Sequence, residues 1–184
     1  MRGTLWASAA LALGVALLPA QAQAADHLEC ILATRSDAVD AAVFEAYRKG
    51  SNIGEALMGL RMSEIQACVQ ANKWSGQATE SATRVLLGEI LAAGLRKEMT
   101  AKSLPAATLA VALKSFMDSV GRGKARRAAN GDMDQETITE LVASLLSENV
   151  LTNAQMSNDN GVVIGEYMSA YANTSVYRQD FEAQ

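Results

Sequence analysis

Between Ala25 and Gln184 the chain has a single proline, Pro105, and its apolar residues recur at intervals of three and four almost throughout. That spacing gathers them on one face of an α-helix, whereas a half-buried strand needs alternation. An all-α fold is therefore expected. The first helix should run from about Asp26 to Thr34. Ser36 is placed to cap a second helix from Asp37 to Lys49, with Val39, Val43 and Tyr47 on one face and Gly50 as a left-handed stop.

A short helical stretch around Ile53 to Leu60 precedes Ser63-Glu64-Ile65-Gln66, which has capping-box spacing and opens a helix that ends near Trp74. Gly76 separates it from a long helix, about Gln77 to Lys102. The middle of that helix, residues 85 to 95, is apolar nearly all round, as in a central core helix. Ser103 and Pro105 restart the chain toward about Val120. Gly121 to Gly131, with three glycines and four basic residues, reads as a loop. Asp132 and Gln135 are spaced as another capping box, ahead of a stripe formed by Ile138, Leu141, Val142, Leu145 and Leu146. The NDNG at 158 to 161 reads as a turn, followed by a last helix from about Gly161 to Asn173 and a charged tail that should fray.

These segments predict an irregular or orthogonal bundle of about six or seven helices, one domain spanning 25–184. A weak repeat at an offset of 77 pairs Val85-Leu-Leu-Gly88-Glu89 with Val162-Val-Ile-Gly165-Glu166. It is compatible with two duplicated helical halves.

The N-terminus has the order that signal peptidase reads: a basic residue, Arg2, an apolar run from Leu5 to Leu18, then Pro19 and small residues ending Ala22-Gln23-Ala24. The run is shorter than the roughly 20 residues that span a bilayer. Residues 1–24 are thus expected to be a cleaved leader. No cysteine sits at the cleavage point to carry a lipid, and no second run is long enough for a span. The expected product is a soluble periplasmic, or further secreted, protein of 160 residues.

An oxidising compartment makes the two cysteines a natural pair. A Cys30–Cys68 disulfide closes a loop of 39 residues, which the chain-entropy account values at roughly 4 kcal/mol. No C-x-x-C or Cys/His cluster points to redox exchange, haem or zinc. The formal charge is −4, and −5 once Arg2 leaves. Together with export this argues against nucleic acid as a partner.

Cleavage after Ala24 would start the mature chain Ala25-Asp26-His27. A terminal amine, two main-chain amides and an imidazole in third place suit square-planar Cu(II) or Ni(II). In these three residues the chain resembles the amino-terminal copper and nickel motif of serum albumins. Glu89 and Glu166 match in the repeat and could form a carboxylate pair acting on cell-wall glycan. Helical spacing instead puts Glu89 on a stripe with Ala92 and Arg96, and Glu166 on one with Ser169 and Asn173, which read as solvent faces.

Arg122, Lys124, Arg126 and Arg127 form a basic segment on an acidic protein, suited to anionic lipid or an acidic partner. Asp132, Asp134 and Glu136 alternate as in a calcium loop, but Thr137 and Ala143 stand where that loop needs glycine and glutamate. Met58 and Met62 could be soft copper ligands, although methionine at helical spacing usually fills cores. Tyr167 and Tyr171 share a face and should pack or line a groove.

A Ser-His-Asp or Cys-His arrangement would have to use His27, the only histidine, at the start of the mature chain. No zinc-protease motif, Glu-x-x-His pair or phosphate-cradling glycine loop is present. No cofactor is expected. The expected role is binding of another periplasmic or envelope protein, as an adaptor, chaperone, inhibitor or immunity-type protein, rather than catalysis.

Overall fold

A computed structural model describes residues 27–184. The expected leader and cleavage point, and the first two residues of the proposed metal motif, lie outside the described residues. The described residues form eight α-helices and one 3-10 turn with no strand: α1 (Glu29–Leu32), α2 (Asp37–Arg48), α3 (Ile53–Asn72), α4 (Gly76–Ala101), α5 (Ala106–Ser119), α6 (Gly121–Ala129), α7 (Gln135–Ser147) and α8 (Asn158–Glu182), with the turn at Asn153–Gln155. The all-α expectation holds, with more helices than the six or seven expected.

Local chemistry explains the starts and stops. Ser36 Oγ accepts from the Val39 amide at 3.3 Å and opens α2, and Gly50 turns away at φ 68°. The left-handed turn suits glycine, which lacks the Cβ that would strain it. Ser75 caps α4 through the Ala78 amide at 3.0 Å, and Ser157 caps α8 through that of Asn160 at 3.4 Å. α1 is only one turn long. It is held by buried Ile31 and by the disulfide from Cys30 to Cys68 in α3, with a Cα–Cα distance of 5.8 Å.

Five boundaries differ from expectation. Ser63 opens no helix: α3 runs through it, bent instead at Arg61 (φ −137°, ψ 17°), and the Ser63 hydroxyl donates to Glu64 at 2.7 Å. The expected loop at 121–131 is mostly α6. Its alanines Ala125, Ala128 and Ala129 are buried at helical spacing against α8, and burial of that face outweighs the glycine penalty at its start. Asp134, rather than Asp132, caps α7, accepting from the Thr137 amide at 2.7 Å. The NDNG segment lies within the first turn of α8, and the expected frayed tail continues that helix to Glu182, because Val176 and Phe181 are buried.

α4 and α8 pack against each other as the central pair. Two apolar clusters lie along them. One joins α1, α2, α3, the first half of α4 and Phe181; the other joins the second half of α4 to α5, α6, α7 and most of α8. Glycines permit the closest approaches. A Cβ on Gly94 would sit 2.2 Å from the Phe44 ring, and one on Gly88 would sit 2.5 Å from Thr174 Oγ1 and 2.9 Å from the Ala170 carbonyl. The two copies of the sequence repeat meet different surroundings: Val85 is fully buried and Val162 is 60% exposed, while a Cβ added to Gly165 would have nothing within 4 Å. No helix among the described residues is long and apolar enough to cross a membrane.

Candidate functional site

One face of α4, stepping through Thr79, Thr83, Leu87 and Leu91, forms the floor of an open trough of about 750 Å³. From Gly76 to Leu91 it extends along about 22 Å of helix. α8 contributes Glu166, Ser169, Ala170 and Asn173; the end of α6 contributes Ala129 to Gly131; Tyr47 and Ile53 come from the two sides of the α2–α3 turn. Its volume is in the range of sites that hold a ligand or a few anchoring side chains.

The trough surface is mainly apolar, and its polar groups are largely committed to one another. The Thr83 hydroxyl donates to the Thr79 carbonyl at 2.8 Å, and the Thr79 hydroxyl to that of Ser75 at 2.9 Å. Arg84 pairs with Glu80 at 3.0 Å and lies over the Tyr177 ring, 4.8 Å from its centroid. Asn173 Nδ2 donates to the Ala129 carbonyl at 3.3 Å, and its Oδ1 is buried without a hydrogen-bond partner.

At one end, Glu166 accepts from Arg48 at 2.8 Å and Glu98 accepts from the same guanidinium. Arg48 stacks on Phe44 and Tyr47, 5.1 Å from each ring centroid. Burial works against the charge on Arg48, but its bonds to Glu98 and Glu166 outweigh it and raise the pKa. Burial, with the Glu166 charge beside it, pushes the Tyr47 phenol up to about 12. At neutral pH Tyr47 is therefore a hydrogen-bond donor and not a base. Glu166 is paired with an arginine, an arrangement that positions α2 against α8 more naturally than it serves proton transfer to a leaving group.

The other residues singled out from sequence are dispersed. Glu89 does not line the trough; it lies between Arg35 at 3.6 Å and Arg178 at 3.7 Å. The solvent-face reading needs correction for both glutamates, whose side chains are 28% and 25% exposed and paired with arginines, and Ala92 on the Glu89 stripe is buried.

The four basic residues of α6 divide between two neighbours. Arg122 and Arg126 both pair with Asp180 of α8, the latter at 2.7 Å, while Lys124 pairs with Glu140 at 3.2 Å and Arg127 with Asp134. Burial disfavours the Asp180 charge, but the two arginines outweigh it and lower its pKa. These cations thus fasten α6 to its neighbours instead of standing free.

His27 is exposed, in a left-handed conformation at φ 68°. Among the described residues no group of three or more His, Cys, Asp or Glu could hold a metal ion. Met58 packs on the smaller core and Met62 is 43% exposed. Tyr167 is buried, with Arg96 at 3.4 Å from its hydroxyl, and Tyr171 packs on the larger core.

Sequence reasoning missed Arg48, Leu87 and Leu91 as site residues. Leu87 and Leu91 are one turn apart inside an apolar run, where nothing distinguishes a trough floor from a core face. Comparisons with protein-family models, characterised proteins and solved structures find no match.

Proposed function

We propose that this chain is exported through its leader and works in the cell envelope by binding a segment of a protein partner in the α4–α8 trough. The observation that carries this reading is the character of the trough: a long apolar floor whose flanking charges are already paired. Such a surface gains free energy by removing a partner's apolar side chains from water, at roughly 25 cal/mol per Å² of apolar area. Among the described residues, no free, activated nucleophile or base faces it. Leu87 and Leu91 are the anchoring contacts, and Tyr47 with Glu166 marks one end.

The test uses a photo-crosslinking amino acid in place of Thr83, inside the trough, or of Val111, which is 71% exposed elsewhere. In the native cell, a discrete adduct at position 83 and none at 111 is the expected result. Equal labelling at both positions would overturn the reading. So would turnover of peptidoglycan by the pure protein that Glu166→Gln abolishes. Export is checked separately by sequencing the N-terminus of the mature chain, which should begin at Ala25.

A further inference from the structure

We infer that the occupant of the trough is an amphipathic α-helix of about four turns with basic residues along its margins. The inference rests on the binding reading above and follows from how the trough spends its hydrogen bonds. An extended peptide would bring a free main-chain donor and acceptor with nearly every residue. Each one buried without a partner costs about 1–3 kcal/mol.

The trough offers no main-chain ladder in return. Its floor and one wall are helices, whose interior main-chain groups are bonded within α4 and α8. Thr79 and Thr83 donate to their own helix, Glu80 holds Arg84, and Glu166 holds Arg48. Asn173 Oδ1 is unpartnered but buried, and the unengaged Ser169 hydroxyl and Asn130 side-chain amide on the lining are scattered groups that can serve single side chains and not a ladder. A helix arrives with its main chain already satisfied, so only its side chains need complementary surface.

Spacing and charge narrow the occupant further. Leu87 and Leu91 lie one turn apart along the floor, which suits apolar residues at three- and four-residue intervals on a facing helix. About 22 Å of floor corresponds to some 15 helical residues. At the rim, Glu80 gives only Oε1 to Arg84 and its side chain stays 63% exposed, and the chain as a whole carries −4. A flanking lysine or arginine on the partner meets that acid favourably. An acyl chain with an anionic head would also need no main-chain partners, but its head would meet like charge.

The experiment selects displayed random peptides of about 16 residues, enough for four turns, on the full mature chain. The selected peptides are then isotope-labelled and their carbon chemical shifts followed on binding. Helical shifts are expected, in sequences with apolar residues three and four apart and basic flanks. Binding should fall at least about tenfold, or roughly 1.4 kcal/mol, with Thr83→Trp, which fills the trough from its floor, and with Leu87→Glu. Val111→Glu should leave it unchanged. Since Leu87 is part of the packing, Thr83→Trp is the arbiter if Leu87→Glu misfolds. Trough-dependent peptides with extended shifts and alternating apolar residues would overturn the helical occupant and leave the binding reading standing. Peptides indifferent to Thr83→Trp, or no peptide at all, would overturn both.

Discussion

The two apolar clusters along α4 are unequal, and they are secured differently. Among the described residues, the cluster around α1, α2 and α3 has fourteen buried members, against twenty-one in the cluster around α5, α6 and α7. The smaller cluster holds the disulfide, and it closes over Trp74 and Phe181, packed edge to face at 5.1 Å. The larger one has no covalent staple. A small core buries less apolar area per residue ordered, so a cross-link that restricts the unfolded chain matters most there. Where the apolar cluster is larger, packing alone suffices. Ion pairs reinforce the seam between them, where Tyr177 packs on both clusters: Arg48 joins α2 to α4 and α8, and Asp180 joins α8 to α6.

The largest way to break this contrast is to remove the staple. Cys30→Ser with Cys68→Ser should cost about 4 kcal/mol in denaturant unfolding. In a protein that starts at Ala25, Trp74 is the only tryptophan, so its fluorescence reports the smaller core. That signal should be lost before the helical circular dichroism; coincident transitions would mean that the two clusters unfold as one unit.

Leu145→Ala strikes the other side, where a fully buried side chain sits in the larger cluster. About 3 kcal/mol should be lost, with the Trp74 signal following the loss of helix rather than preceding it. Gly94→Ala, at the crossing of α2 and α4, should cost about 2 kcal/mol by pushing on the Phe44 ring. An unchanged melting temperature would show that the crossing can widen freely.

Asp180→Asn, at the seam, should cost about 1 kcal/mol, a modest figure because its arginine partners are partly exposed. The lowered pKa of Asp180 makes its contribution complete above the ordinary value of 3.8 and lost as pH falls below it. Wild type and variant should therefore converge in acid. The opposite sign applies at Tyr47. Its raised pKa stabilises the fold fully below pH 10, and that contribution fades as pH rises toward about 12. In the native state Tyr47 should ionise late in an ultraviolet titration; burial raises Tyr171 as well, so the late component should shrink in Tyr47→Phe rather than vanish.

The regions differ in how far they could be read from the sequence. Ser36, Gly50 and the boundaries of α4 followed from capping and apolar spacing, and the disulfide from a cysteine pair without competing partners. α6 did not, because Gly121 and Gly123 resemble a break while the reason for the helix, three alanines fitting against α8, lies some fifty residues away. The tail was misread for a similar reason. Arg178 and Asp180 look solvated, but Ala172 and Val176, one turn apart, pack on one cluster, and Phe181, on another side of the helix, packs on the other. The trough was illegible altogether, since it exists only where α4, α8 and two inter-helix turns converge.

Gly88 and Gly94 are six residues apart on α4, which turns them about 120° from each other around its axis. One notch receives α8 and the other receives α2. Like two keyways cut on different sides of a shaft, they index the helix: neither a rotation about its axis nor a slide along it leaves both seated. α4 is thereby locked in register, and the row from Thr79 to Leu91 always presents the same side chains to whatever the trough receives.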